Sequence, residues 1–233
     1  MADFGPEFVR IDEDTTDVRG MSVGRLRPND NSALVSSQNT ASLLKMIEKV
    51  QATGGFLAIP AGRFYLGPAE TKPDSEVQAD IVINDKVMLW FVPNGQLVPI
   101  SVDQPNGTRI KVKMEIQGFV DAGLFPIFDV FLEPEDDRTQ YTEAGTVVFT
   151  RHGVRALYPE WWGASSPRLE PRGMTFGVVR RTTAALQACF DAAHRAVAEP
   201  PVSLAPGRPI KVGGTVVHRT GPGLQAGSVQ VGH

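Results

Sequence analysis

The sequence predicts a mainly β protein with two short helices, in which one supersecondary unit occurs twice. Three observations support this fold class. Many short apolar runs are separated by turn residues rather than by helical stretches. A helix–strand–turn pattern at residues 39–66 recurs at residues 182–212. The 233-residue chain also contains 23 Gly and 18 Pro without low complexity, which suits short strands joined by tight turns.

The first copy of this unit begins with an amphipathic helix. Its apolar positions have helical spacing and predict one buried face, formed by Leu43, Met46, Ile47 and Val50. Asn39 or Thr40 is predicted to cap the N-terminus of the helix, and the pair Gly54–Gly55 to end it. The period then changes to two over residues 56–59 and 64–66, on either side of a Pro-Ala-Gly turn, which predicts two strands.

The second copy repeats the order of the first. The apolar face of its predicted helix consists of Leu186, Cys189, Phe190, Ala193 and Val197. Two prolines at 200–201 break this helix, residues 202–204 extend, and residues 205–208 repeat the turn as Ala-Pro-Gly-Arg. Because the unit recurs in the same order, the chain is interpreted as an internal repeat. We expect the first helix to cover the end of the strands that follow it.

Between the two copies lies a series of short predicted strands. They are Ile81–Ile83, Val87–Phe91, Leu97–Ile100, Ile110–Ile116, Ile127–Phe128 and Thr146–Phe149. Residues 110–116 alternate strictly, with apolar side chains on one face and Lys111, Lys113 and Glu115 on the other. Such closely spaced strands form either an antiparallel sandwich or the successive sides of a coiled parallel β-helix. The strands alone leave both alternatives open.

Residues 1–35 are polar, acidic and weakly patterned, and we predict that they form an N-terminal arm. The early apolar residues are Phe4, Phe8, Val9 and Ile11. Two alternatives stay open for this arm: it gains structure against a partner, or it is a floppy terminus.

Composition and charge exclude several classes of protein. A net charge of −3 and a pI near 5.8 argue against nucleic acid as the main partner. The N-terminus lacks the basic and apolar regions of a secretory signal, and the sequence has no apolar run of ~18 residues, so no membrane span is predicted. Cys189 is the single cysteine, which excludes an internal disulfide, and its place on an apolar helix face predicts a buried structural thiol.

The segment between the two copies carries two adjacent tryptophans, Trp161 and Trp162. They are predicted to be a large structural anchor or, alternatively, a stacking platform for a carbohydrate. With residues 182–188, the Tyr-Pro-Glu-Trp-Trp-Gly-Ala of residues 158–164 resembles the opening segment of the pectate-lyase-like right-handed β-helix superfamily. Residues 118–129 resemble the coil that often precedes this segment, and residues 54–62 match the same motif in a first copy.

The resemblance implies a right-handed parallel β-helix with short capping helices and two tandem copies of the opening unit. Bacteriophage tailspikes and many polysaccharide-degrading proteins belong to this superfamily. The family usually carries a Gly-Asp-Gly and paired Asp just before the second helix; in this sequence a longer loop occupies that place, with Arg180 and Arg181 directly before Thr182. The resemblance also implies a longer β-helix after residue 220, and in such proteins that later region commonly carries the carbohydrate groove.

The residues that could act in catalysis do not form a convincing set. Glycoside cleavage needs two carboxyl groups separated across a groove, whereas the acidic residues cluster in one charged loop: Glu133, Glu135, Asp136 and Asp137. A lyase needs a base, but Lys111 and Lys113 lie beside Glu115 on an ordinary solvent face. The histidines lack metal-ligand spacing: His152, His194, His218 and His233. No catalytic residue, metal site or cofactor is predicted, and Glu160 is expected to orient the tryptophan segment.

The predicted function is structural and adhesive. The resemblance, the absent signal and the absent catalytic set favour the N-terminal, particle-anchoring part of a phage tailspike or tail fibre. Such a virion structural protein serves host attachment by recognising surface polysaccharide. One alternative is a polysaccharide lyase or glycoside hydrolase whose groove lies beyond residue 233. The other is a free-standing carbohydrate-binding module.

Three regions are predicted: an anchoring arm at residues 1–35, a first β-helix-like unit at 36–153, and a linker with the start of a second unit at 154–233. Because an uncovered strand edge recruits other chains, a homo-oligomer is expected, trimeric if the resemblance holds. The other expected partners are a phage-particle component that holds the arm and a host polysaccharide. The expected location is the virion or a phage-like particle, after synthesis in the bacterial cytoplasm.

Overall fold

A computed structural model describes residues 6–68, 80–103, 109–132, 142–149, 154, 156–165, 176–194, 202–203, 210–213, 224–225 and 229–232. The helices are α1 (Ala33–Thr53), the 3-10 helix η1 (Pro159–Trp162) and α2 (Phe176–His194). The strands up to α1 are β1 (Glu7–Arg10), β2 (Thr15–Thr16) and β3 (Ser22–Val23). Between α1 and η1 they are β4 (Gly55–Ile59), β5 (Gly62–Leu66), β6 (Asp80–Ile83), β7 (Val87–Phe91), β8 (Gly95–Pro99), β9 (Ser101–Asp103), β10 (Arg109–Lys111), β11 (Lys113–Ile116), β12 (Val120–Asp121), β13 (Phe131–Leu132), β14 (Thr142–Glu143) and β15 (Thr146–Phe149). After α2 follow β16 (Val202–Ser203), β17 (Ile210–Gly213), β18 (Leu224–Gln225) and β19 (Val229–Gly232).

Helix α1 has the predicted buried face but starts earlier than predicted. Its four predicted apolar positions are all buried. Ser32 is the N-cap, and its hydroxyl accepts a hydrogen bond from the Val35 amide. Gly54, with φ of 77°, ends the helix as predicted and donates its N–H to the Val50 carbonyl.

The predicted capping residues Asn39 and Thr40 lie instead in the buried middle of α1, so that prediction is wrong. The Asn39 amide group accepts from the Arg27 N–H at 2.8 Å and donates to the Tyr65 carbonyl at 3.1 Å. The Thr40 hydroxyl donates to the Gly67 carbonyl at 2.7 Å. Both side chains satisfy backbone groups of neighbouring segments, because a buried backbone group needs a partner and a short polar side chain can supply it. The two residues that were predicted to cap the helix therefore make tertiary contacts instead.

Most of the strands between α1 and η1 belong to three parallel ladders. One runs β4–β7–β12, with β1 on its outer edge; the second joins β5 and β8; the third runs β6–β11–β15. Gly55 pairs with Val87, Gly62 with Gly95, and Asp80 with Lys113, so a nearly constant length of chain separates equivalent positions in successive strands. The chain visits the three ladders in the order β4, β5, β6, and then again in the order β7, β8, β11.

Two antiparallel hairpins interrupt this rotation. Strands β9 and β10 pair between β8 and β11, and β13 and β14 pair immediately before β15. In the second ladder, the position next to β8 is occupied by the segment around Ile127. The Leu97 amide of β8 donates to the Ile127 carbonyl at 2.9 Å. Because the long pairings are parallel, an antiparallel sandwich does not describe these strands.

The described part of the chain is rich in strands and contains few helices. Its longer strand pairings are parallel. The prediction of a mainly β fold is confirmed only in part, because α1 and α2 span 21 and 19 residues. The described strands form separate parallel ladders and short antiparallel hairpins, and they do not make up a closed β-helix.

The N-terminal segment that was predicted to be an arm packs on the body of the protein. Strand β1 pairs in parallel with β4, and the side chains of Val9, Ile11, Val23 and Leu26 are buried in the main core. Four apolar side chains and one strand edge suffice to hold a polar segment, since each buried apolar side chain contributes roughly 1.5–3 kcal/mol. The predicted boundary after residue 35 falls inside the first turn of α1.

The hydrophobic core continues from the first ladders to α2. One cluster of buried side chains extends from Val9 to Ala192 and includes both tryptophans of η1. Helix α2 begins at Phe176, before the predicted Thr182, and its apolar residues Leu186, Cys189 and Phe190 are buried. The predicted positions Ala193 and Val197 and the turn at 205–208 lie outside the residues whose side chains the structure describes.

Candidate functional site

The tryptophan pair, Trp161 and Trp162, lies in η1 with both side chains buried, 3% and 2% exposed. Gly163, with φ of 87°, ends this short helix. The indole Nε1 of Trp161 donates to the Gly123 carbonyl at 3.0 Å, and the Trp161 carbonyl accepts from the amides of residues 127 and 128. These bonds attach η1 to the loop that precedes β13.

The two indole rings pack on phenylalanines of the core. The Trp162 ring centroid lies 5.3 Å from that of Phe128, and the Trp161 ring centroid lies 6.4 Å from that of Phe149. Offset and edge-on aromatic pairs at such distances are stabilising beyond the area they bury. Because the faces of both rings are covered by protein, they do not offer a platform on which a sugar could stack. Their role as the anchor of the second unit stays a prediction.

A buried carboxylate, Asp129, joins three parts of the chain near the tryptophans. Its side chain is 4% exposed and forms ion pairs with Arg63 of β5 and with Arg181 of α2. It also accepts hydrogen bonds from the backbone amides of Val130 at 2.8 Å and Phe131 at 3.3 Å. A buried charge is stable only when it is paired and hydrogen-bonded, and Asp129 meets both conditions. We call the side chains of Asp129, Arg63 and Arg181 the Asp129 cluster.

A cavity of about 290 Å³ adjoins the Asp129 cluster, between α2 and the strands β13–β15. Its polar lining includes Lys111, Asp129, Thr146, Gln187 and Asp191, and Trp162 closes one side. The carboxylate of Asp129 is already neutralised by two guanidinium groups, so its charge is used to hold the protein together. The arrangement favours a structural role over proton transfer for Asp129.

The lone cysteine, Cys189, is fully buried on the inner face of α2. Burial, and secondarily the nearby charge of Glu160, raises the pKa of the Cys189 thiol well above its ordinary value. A thiol that stays protonated is a poor nucleophile and a poor metal ligand. The geometry agrees with the predicted structural thiol.

A second candidate lies on the outer face of the first ladder. A cleft of about 260 Å³ is lined by Phe8 of β1, Phe56 of β4, Met88 and Trp90 of β7, and Asp121 of β12. Sequence reasoning assigned no role to this face. The signal was present in residues 87–91, where the alternation that buries Val87, Leu89 and Phe91 turns residues 88 and 90 outward.

Several residues that the sequence analysis weighed for catalysis are not among the described residues that line the cavity beside the Asp129 cluster or the cleft on the first ladder. The acidic residues at 133–137 and the histidines at 152, 218 and 233 lie outside the described residues, and of His194 only the backbone is described. Lys113 and Glu115 lie side by side on β11, with Nζ and Oε2 3.7 Å apart, as expected of an ordinary outer face. Within the described ranges, no group of three His, Cys, Asp or Glu could hold a metal ion.

Comparison with protein-family models, with curated proteins and with solved structures finds no match to this chain. None of the helices in the described ranges is both long enough and apolar enough to cross a membrane.

Proposed function

We propose that this chain is the N-terminal, particle-anchoring part of a tailspike-like or tail-fibre-like virion protein that recognises host surface polysaccharide. In this proposal the three parallel ladders are the sides of a right-handed β-helix, and each return of the chain to the same ladder completes one turn. The supporting observation is the nearly constant step along the sequence with which the chain returns to each of three ladders, as in the pairs Gly55–Val87 and Gly62–Gly95.

A constant step is what a coiled chain requires. Each turn then contributes one strand to each ladder, and each new turn stacks on the previous one at about 4.8 Å. Parallel strands joined by a crossover are almost always connected in the right-handed sense. The hairpins β9–β10 and β13–β14 sit between strands of the rotation, so they are insertions that leave the stacking unchanged. Such a stack makes a stiff rod, which suits a spike that projects from a particle.

Helix α1 is suited to begin this rod. The four apolar side chains of its buried face belong to the same core cluster as the inward residues of β4, β5 and β7. They cover apolar side chains that the first turn would otherwise expose to water. The segment before α1 adds β1 to the edge of β4 and thereby protects that strand edge. In the proposed protein, the N-terminal segment of residues 1–35 contacts the particle.

Particle association tests the proposal directly. The chain carrying a C-terminal epitope tag is produced during assembly of phage or phage-like particles in its bacterial host, and purified particles are probed and imaged by electron microscopy. The expected result is the tag on a projecting tail structure in regular copy number. Its absence from purified particles would overturn the proposal. Release of reducing ends or unsaturated products from bacterial polysaccharides by the chain would favour the enzyme alternative.

The proposed oligomer is a homotrimer, and light scattering on the purified chain measures it. The mass of three chains is expected, and removal of residues 1–26 is expected to lower the melting temperature because Val9, Ile11, Val23 and Leu26 leave the core. A stable monomer would contradict the trimer, and an unchanged melting temperature after the deletion would contradict the packing of β1.

A further inference from the structure

The outer face of the sheet β1–β4–β7–β12 carries two rows of side chains at right angles to the strands. The strand register aligns Phe8 with Phe56 and Phe56 with Met88 in the first row. It aligns Arg10, Ala58, Trp90 and Asp121 in the second row. Because alternate residues of a strand point to opposite faces, both rows lie opposite the buried residues of the same strands.

The exposed rings on this face form an open corner. Phe8 is 53% exposed and Trp90 is 42% exposed, and their ring centroids are 6.1 Å apart with the planes inclined at 56°. Strand β4 lies between the strands that carry them, so both rings lean over β4. Alanine at position 58 leaves room for this, because its side chain occupies little space beside Trp90. The carboxylate of Asp121 stands opposite Trp90 at the wall of the cleft.

The size of this face suits a small ligand better than a protein. Phe56 is partly buried, and the strongly exposed rings on this face are Phe8, Trp90 and the neighbouring Phe119, which is 55% exposed. With ~200 Å² for each ring, about half exposed, they present roughly 300 Å² of apolar area. A stable protein interface buries about 800 Å² on each partner. The cleft volume of about 260 Å³ lies just below the range of ~300–1,000 Å³ for small-molecule sites.

The chemistry of the cleft suits a sugar. A pyranose ring has an apolar face of C–H groups, which can stack on an aromatic ring, and hydroxyls at its edge, which can donate to a carboxylate. The cationic group of Arg10 is engaged by Asp12 and Glu13, with N–O distances of 3.0 and 3.2 Å. The remaining charge at the cleft wall is the carboxylate of Asp121, which repels an anionic sugar.

We propose that the cleft formed by Phe8, Phe56, Met88, Trp90 and Asp121 binds a neutral oligosaccharide. One sugar ring stacks on Trp90, and its hydroxyls donate hydrogen bonds to the carboxylate of Asp121. The inference rests on the proposed function only in its choice of a polysaccharide partner. It places a binding site within the described part of the chain, on the first ladder.

Acrylamide quenching and calorimetric titration test this proposal with three neutral probes: cellotetraose, tetra-N-acetylchitotetraose and maltotetraose. Among the three tryptophans, Trp90 alone is substantially exposed, so a bound sugar is expected to shield its fluorescence from acrylamide. At least one probe should bind, and Trp90→Ala should weaken that binding about tenfold or more. The C6-oxidised, anionic form of the same probe should bind more weakly to the parent protein, and Asp121→Asn should reduce this discrimination.

Leu34→Ala is the matched control, because Leu34 is an apolar residue that is 68% exposed on α1, away from the cleft. It should leave sugar binding unchanged. Binding by none of the three probes would overturn the inference, as would equal losses in Leu34→Ala and Trp90→Ala. A change of oligomeric state in Trp90→Ala without sugar binding would instead identify the face as a contact between copies. Particle association without sugar binding overturns this inference alone, whereas sugar binding without particle association overturns the proposed function alone.

Discussion

Asp129 and Arg181 are 52 residues apart in the sequence, yet Nη1 of Arg181 lies 3.3 Å from the Asp129 carboxylate. The same carboxylate pairs with Arg63, which is 66 residues away in the opposite direction. One buried charge thus connects β5, the loop before β13 and helix α2. These charge-assisted hydrogen bonds require a specific geometry, so they fix the position of α2 on the parallel ladders in addition to the apolar contacts.

Asp129→Asn should lower the free energy of unfolding by ~1–3 kcal/mol. The carboxylate is buried, but both arginines are partly exposed and can turn toward water, so the loss stays below the ~3–5 kcal/mol of a fully buried broken pair. Denaturant unfolding measures the change. Asp121→Asn, at an exposed carboxylate, is the control and should change stability by less than ~0.5 kcal/mol. Equal effects of the two substitutions would contradict the structural role of Asp129.

Leu43→Ala should cost ~2–5 kcal/mol, because Leu43 is fully buried where α1 covers the ladders. Its sequence neighbour Leu44 is 36% exposed, which makes Leu44→Ala a control of identical chemistry. The control should cost much less, since little apolar area returns to water. Thermal or urea unfolding measures the loss in the free energy of unfolding for each of the two variants. A loss for Leu43→Ala as small as that of an ordinary surface substitution, below ~0.5 kcal/mol, would mean that α1 is peripheral.

In the Trp90→Phe variant, the remaining fluorescence comes from Trp161 and Trp162. Because both rings are buried, acrylamide should quench them poorly and their emission should lie at shorter wavelength than that of the unfolded chain. Stern–Volmer titration of the variant and the parent protein measures the difference. Efficient quenching in the variant, relieved by an oligosaccharide, would restore the sugar-platform alternative for this pair.

Cys189 should make the protein less stable at alkaline pH. Burial raises the pKa of its thiol in the folded state, so the folded protein keeps a proton that the unfolded chain loses. The contribution is complete below the ordinary thiol pKa of about 8.5 and declines as the pH rises above it. Denaturant unfolding from pH 7 to 10 should therefore show a steeper fall in stability for the parent protein than for Cys189→Ala. Parallel curves would contradict the prediction, as would rapid alkylation of native Cys189 at pH 8.

The cleft on the first ladder could have been found only in part from the sequence. Alternation in residues 87–91 indicates that residues 88 and 90 share an outer face, because successive side chains of a strand point to opposite sides. That Phe8 lies beside Trp90 depends on the parallel pairing of β1 with β4 and of β4 with β7. Phe8 and Trp90 are far apart in the sequence, and no local pattern specifies strand partners across such a separation.

The single strand predicted at residues 110–116 is instead two strands, β10 and β11, which belong to different sheets. Local periodicity alone determined the buried face of α1, the glycine that ends it and the buried thiol on α2. Each of these depends on residues within a turn or two of one another, where spacing dictates which side chains share a face. Tertiary structure alone decided the parallel direction of the strands, the packing of β1 and the ion pairs of Asp129. Those features depend on groups that are distant in the sequence, such as Gly55 with Val87 and Arg63 with Asp129. Asn39 and Thr40 demonstrate the physical reason: a polar side chain that would cap an isolated helix bonds the backbone of a distant segment once burial leaves that backbone without water.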